Sequence, residues 1–323
     1  MIIFRLTIVL LLFLLTCRSV HSQEFSDIQQ YHIPILLNPS YVGATKGDRL
    51  IISPVSTRRI DTKSYLRYLS HDFFYKKRSL GLGFIGGAQM DYTQNIFVPF
   101  FEIAAAKYLP KGHDTFLIPS VTIGFHQPLK EYGLFHLDNL IDTREHTAYA
   151  PGTSLYRSSE FIAGGGILLA DYNGSVGLSA KYRRSFFKNP YEDKFDVEAY
   201  DLIIHAEKIF TYKHRDLLSK AYMIRPRLVI HVGNETKQLF TGVTVQRKKF
   251  EMGIGFLPNF DSGNTRFSIN TGIDLEYFKV NYLASVLNDT GEFRAFMHSI
   301  SLRIIFPELK RYGIPIPGII RNL

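Results

Sequence analysis

Arg266-Phe267-Ser268-Ile269-Asn270-Thr271-Gly272-Ile273-Asp274-Leu275-Glu276-Tyr277 changes character at nearly every step. One face reads Phe267, Ile269, Thr271, Ile273, Leu275 and Tyr277; the other reads Arg266, Ser268, Asn270, Gly272, Asp274 and Glu276. Successive side chains of an extended chain point to opposite sides, so a period of two marks a strand with one apolar and one polar face. The run also has the length of a tilted strand that crosses a bilayer, roughly 9–11 residues, whereas strands of soluble sheets average about five or six.

The same pattern recurs along the chain. Tyr222, Ile224, Pro226, Leu228, Ile230 and Val232 alternate with Met223, Arg225, Arg227, Val229 and His231. Tyr200, Leu202, Ile204, Ala206 and Phe210 oppose Asp201, His205 and Glu207, and Phe250, Met252, Ile254 and Phe256 oppose Glu251, Gly253 and Gly255. The polar faces are rich in Gly and in charge, which suits a lumen better than the exterior of a soluble sandwich. In lipid a sheet must close on itself, because an open edge leaves backbone groups without partners. The reading is therefore all-β, a transmembrane antiparallel β-barrel of about 14 strands, an even number as single-chain bacterial barrels prefer. The predicted strands are 49–58, 64–74, 79–90, 95–107, 115–126, 160–170, 173–184, 200–211, 222–233, 237–246, 248–257, 265–275, 277–286 and 292–306. With the N-terminus in the periplasm, the long gaps 127–159 and 185–199 fall on the outer side, and tight connections such as Asp171-Tyr172-Asn173-Gly174 and Arg247-Lys248 fall on the inner side, as barrels of this kind arrange them.

The N-terminus reads as an export signal at 1–22: Arg5, an apolar run from Leu6 to Leu15, and Val20-His21-Ser22 as the cleavage site. Leu14-Leu15-Thr16-Cys17 is a loose lipobox and a rival processing site. Cleavage after Ser22 removes the one cysteine and with it any disulfide or thiol chemistry. Residues 23–48 then form a periplasmic N-terminal segment or a plug, 49–306 the outer-membrane barrel, and 307–323 a periplasmic C-terminal tail containing Lys310, Arg311 and Arg321 among Pro315 and Pro317. Composition agrees: 323 residues, 46% hydrophobic, 14% aromatic with 26 Phe and 19 Tyr, mean hydropathy −0.02, and no second long apolar run after the leader. The net charge of +9, which includes Arg5 and Arg18 of the leader, fits luminal Arg and Lys or an acidic partner better than nucleic acid, which an exported protein rarely meets.

Gln23-Glu24-Phe25-Ser26, Gln30-Tyr31 and Leu37-Asn38-Pro39-Ser40-Tyr41-Val42-Gly43 resemble the opening of the PorP/SprF proteins, with Ser40 where the family usually has Ala. Leu80-Gly81-Leu82-Gly83-Phe84, Gly164-Gly165-Gly166-Ile167-Leu168-Leu169 and Ser175-Val176-Gly177-Leu178-Ser179-Ala180 extend the resemblance. So does His298-Ser299-Ile300-Ser301-Leu302, where Ser299 replaces the usual Glu. The motif residues that matter most are Leu37, Asn38, Pro39, Gly43 and His298. The resemblance implies a non-enzymatic outer-membrane component of the type IX secretion system in a Gram-negative bacterium. Its partners would be outer-membrane lipid, a large secreted client such as a gliding adhesin, and machine components including periplasmic ones. Loop 127–159 would then carry recognition, with Tyr132, Phe135, Arg144, Tyr149, Tyr156 and Arg157 as residue types enriched at interface hot spots; the plain reading of that loop is a solvated cover over the barrel mouth.

Two other functions stay open. A passive porin or solute transporter needs an open lumen, against which the bulk of Arg225, Arg227 and His231 speaks. A membrane-wall enzyme or metal site would use Asp201, His205 and Glu207, although a lumen holds such residues for structural reasons. His298 reads as pairing with a neighbouring polar group. Lys76-Lys77-Arg78 and Arg247-Lys248-Lys249 read as solvated turns, and Asn38-Pro39 as a turn before the first strand. Asn173-Gly174-Ser175, Asn234-Glu235-Thr236 and Asn288-Asp289-Thr290 are chance sequons. No nucleophile elbow, phosphate loop, paired-cysteine motif or His-Glu-x-x-His helix is present, and no cofactor is expected.

Overall fold

The computed structural model describes residues 33–45, 47–59, 63–91, 96–112, 115–127, 129–132, 154–157, 159–171, 173–185, 198–212, 222–234, 237–258, 260, 264–275, 277–289 and 292–307. The signal and tail expectations for 1–22 and 308–323 lie outside these residues.

Fourteen strands close into one antiparallel barrel. In chain order they are β1 Gly47–Arg59, β2 Lys63–Tyr75, β3 Leu80–Asp91, β4 Ile96–Lys107, β5 Phe116–His126, β6 Glu160–Ala170, β7 Gly174–Ser185 and β8 Glu198–Lys208. They continue with β9 Tyr222–Gly233, β10 Lys237–Arg247, β11 Phe250–Pro258, β12 Thr265–Asp274, β13 Phe278–Asp289 and β14 Glu292–Pro307. Short pieces prolong three of them: Leu109–Pro110 after β4, Leu129–Tyr132 after β5 with Ser154–Arg157 before β6, and Phe210–Tyr212 after β8. Each strand pairs with its chain neighbour, and β1 closes the ring on β14 from Gly47↔Pro307 to Arg59↔Ala295. The expected spans agree closely with the observed ones. Two differences have local causes. Lys248 adopts a positive φ of 54° and forms the tight turn with Lys249, so β11 starts only at Phe250. The presumed loop 127–159 is partly strand, because Leu129↔Arg157 and Tyr132↔Ser154 continue the β5–β6 ladder.

Alternation sends the apolar face outward, the inverse of a soluble fold. Ile254, Ile269 and Val121 are 68, 58 and 63% exposed, and the register joins Val243↔Ile254↔Ile269 into a continuous apolar band. Aromatic rings flank the band at both rims. At the rim of tight turns stand Tyr75, Phe250, Tyr277 and Phe278; at the opposite rim Phe125 pairs with Phe161 and Phe256 with Phe267. Such girdles sit where hydrocarbon meets water. Among the described residues no helix is long and apolar enough to cross a membrane; the strands make the crossing.

A short segment before β1 turns back into the barrel. Pro34–Leu37 makes one helical turn (α1), Pro39–Tyr41 a 3₁₀ turn, and every residue from Ile33 to Thr45 is buried. Their apolar side chains join inward residues such as Tyr68, Ile85, Phe100, Ile118 and Leu168 in one cluster. The core of this molecule therefore lies inside its lumen.

Candidate functional site

Folding a chain segment into a lumen buries backbone groups that no ladder satisfies, and each must find a partner. The wall supplies them here. Ser179 Oγ donates to the Leu37 carbonyl at 2.8 Å, Arg49 Nη2 to the Tyr41 carbonyl at 3.2 Å, and Tyr108 Oη to the Val42 carbonyl at 2.9 Å. The Gly43 N–H donates to Asp72 Oδ2 at 2.7 Å. Asp72 also receives Arg49 Nε at 2.8 Å, so this buried pair holds the segment where it enters β1.

Asn38 is the centre of the plug. Its Oδ1 accepts the Ser40 N–H at 2.9 Å, capping the 3₁₀ turn, while Pro39 needs no N–H partner at the next position. Its Nδ2 reaches the Leu178 carbonyl at 3.3 Å and the Ile167 carbonyl at 3.4 Å, and lies 3.1 Å from His205 Nε2. Ser120 Oγ donates to the Gly166 carbonyl, which leaves Ser40 to donate to Ser120 at 2.8 Å. Tyr41 Oη meets Ser175 Oγ at 3.0 Å and His205 Nδ1 at 3.4 Å. Burial, with the charge of Glu207, pushes the Tyr41 phenol well above its ordinary value, so it stays a neutral hydroxyl.

Glycines make the approach possible. A Cβ on Gly81 would lie 1.9 Å from the Val42 carbonyl oxygen, and one on Gly166 would lie 2.3 Å from Asn38 Oδ1. Gly43 itself has φ of +74°, which favours glycine, and packs its Cα against Gly81.

The other half of the lumen is built differently. Between the plug, at Pro34 and Leu37, and the wall formed by β8–β14 with β1 and β2 lies a cavity of about 90 Å³. Its charges pair with one another: Arg227 with Glu207 at 2.7 Å, Lys279 with Glu251 at 2.8 Å, Arg225 with the same Glu251, and Arg303 with Asp274 at 3.2 Å.

Leu37, Asn38, Pro39 and Gly43 thus come together in the plug, and Asn38-Pro39, read as a turn, is a turn that also bonds the wall. His298 is elsewhere. It faces outward on β14, where Tyr282 Oη bonds its Nδ1; strand parity gives the lumen to Ser299 instead. Tyr132, Tyr156 and Arg157 sit on the strand prolongation, and Phe135, Arg144 and Tyr149 lie outside the described residues. Asp201, His205 and Glu207 share the inward face as the alternation requires, yet each has its own partners: Asp201 takes His231 at 3.1 Å and Arg183 at 3.2 Å, His205 the plug, and Glu207 Arg227. Among the described residues no cluster of His, Cys, Asp or Glu could hold a metal ion. Lys76-Lys77-Arg78 forms a 3₁₀ turn ending at Ser79, with φ of 48°. Sequence reading did not single out Asp72, Arg49 or Tyr108, and it named Arg225 and Glu251 as members of polar faces without pairing them; for Asp72, Arg49, Arg225 and Glu251 inward parity is the signal that could have raised them.

No family model and no curated protein matches the chain. Among solved structures it is similar to CdiB from Acinetobacter baumannii, with TM-score 0.50 and 8% identity over 80% of this chain and 60% of that one. The chain thus spans about three fifths of that protein. Weaker likenesses are the translocator domain of the autotransporter NalP from Neisseria meningitidis, at TM-score 0.38 and 10% identity over 87% of this chain and 95% of that one, and KdgM porin, at 0.36 and 11% over 79 and 99%. Together with the closed ring, the apolar band and its girdles, the fold makes this chain an outer-membrane β-barrel of a Gram-negative bacterium.

Proposed function

We propose that this barrel is a non-enzymatic docking component of type IX secretion, supporting export or surface attachment of a large secreted protein. The observation that carries the reading is the plug: the stretch that resembles PorP/SprF, Leu37 to Gly43, is buried in the lumen and bonds to the wall through its backbone. A barrel that carries a partner gains from a filled, stiff lumen, whereas a diffusion pore needs an open one. The pairing of Leu129–Tyr132 with Ser154–Arg157 prolongs β5 and β6 beyond one rim, which supports a recognition role on that side.

The test is affinity purification of the tagged barrel from detergent-solubilised outer membrane, paired with assay of surface proteins in a strain lacking it. Co-purification of type IX components with one large secreted protein, and loss of that same protein from the surface of the deletion strain, supports docking. Recovery of the barrel alone with unchanged surface proteins overturns it. The cavity beside the plug favours a second reading, a solute transporter. Sugar-driven swelling of liposomes that contain the wild-type barrel would decide for it.

A further inference from the structure

We propose that the cavity between the plug and the wall of β8–β14, β1 and β2 binds a small oxyanion, one presenting a phosphate, sulfate or carboxylate group. The inference starts from charge. Arg225, Arg227, Lys279 and Arg303 line the cavity, a concentration of four cations whose ion pairs run to Glu207, Glu251 and Asp274. Glu251 is shared by Arg225 and Lys279. All four cations have little or no access to bulk water, with side-chain exposures of 18% for Arg227 and 6–7% for the others. Cations held out of water that share a counter-ion gain from a further anion beside them.

Geometry points the same way. Arg303 engages Asp274 through Nη2 alone, and its buried Nε has no hydrogen-bond partner. A guanidinium with an unused Nε–H is suited to an oxyanion, which it binds with charge-assisted hydrogen bonds. Asn281 and Ser301 line the same space and bring neutral donors. The register sets Lys279 opposite Arg303 and Asn281 opposite Ser301 on the inward face of β13 and β14, so the donors converge. The space, about 90 Å³, has room for one such small ion. The cluster lies toward the rim of tight turns, which faces the periplasm in barrels of this kind, so the ion would enter from that side.

The experiment titrates inorganic phosphate into the full-length barrel in detergent micelles, by calorimetry, with chloride at matched ionic strength as control. Saturable phosphate binding is expected, weakened about tenfold or more in R303Q, the scale of one charge-assisted hydrogen bond. E251Q provides an independent reading in case R303Q fails to fold. Removing the shared carboxylate should tighten phosphate binding, and phosphate should restore the melting temperature that the substitution lowers, because a ligand of the folded state stabilises it. Equal heats for phosphate and chloride, or R303Q binding like wild type, would overturn the proposal. So would saturable binding seen only in an E24Q/D27N double variant, which would assign the cavity to the chain's own upstream acids. None of these outcomes depends on a secreted client, so the site stands or falls apart from the docking reading.

Discussion

The two halves of the lumen solve one problem in opposite ways. Where the plug docks, Gly81, Gly166, Ser120 and Ser179 let a backbone approach, and Ser179, Tyr108 and the Arg49–Asp72 pair satisfy it. Across the lumen, among the described residues, no backbone arrives, and long side chains extend inward and pair with each other, as Arg225 and Lys279 do on Glu251. Both walls carry polar inward faces in the sequence. The difference is reach, and it decides whether a wall receives another chain segment or fills its own space.

That contrast can be broken at several points. The largest effect is expected from deleting Ile33–Thr45. Wild type should hold a planar bilayer closed or nearly so, and the deletion should give stable channel openings; equal conductance of the two would mean that the plug does not occlude. Next is Arg49→Ala, which leaves Asp72 buried without its cation and should cost about 3–5 kcal/mol in urea unfolding of the micelle-folded barrel. A loss below about 1 kcal/mol, the scale of an exposed ion pair, would mean that the pair is not the anchor of the plug.

A pair of glycine substitutions sharpens the comparison directly. Gly166→Ala drives a Cβ to 2.3 Å from Asn38 Oδ1 and should cost about 1–3 kcal/mol by overpacking, with faster protease cleavage of the plug. Gly255→Ala, on a wall away from Asn38, meets Ser268 Oγ and the buried Phe240 ring as its nearest atoms, so whatever it costs in the same assay it should leave the plug protected. If both behave alike, the two walls are equally tolerant and the contrast fails. The smallest effect belongs to Tyr41→Phe, which removes the hydroxyl bonded to Ser175 and should cost about 0.5–1.5 kcal/mol by the same unfolding measurement.

Much of the fold was legible because it rests on one local rule. A strand has two sides, and Phe267, Ile269 and Ile273 on one with Ser268, Asn270 and Gly272 on the other leave little choice about which faces lipid. The site was legible only in part. The Leu37–Gly43 stretch stood out by its resemblance, but nothing local distinguishes a Pro-containing turn on the surface from one buried in a lumen. His298, read as pairing with a neighbouring polar group, does so with Tyr282. It stands in the closing stretch that shares the resemblance, and one step of parity from Ser299 puts it on the outer wall.

The sequence by itself determined the alternation, the number of crossings and the side on which each residue stands, because these follow from backbone geometry over a few residues. Only the tertiary structure decided the partners. Asn38 meets His205 across 167 residues of chain, and Ser53 meets Ser299 across 246. Such pairs exist because the ring closes and the N-terminal segment turns into it, and no short-range pattern encodes a contact that closure alone creates.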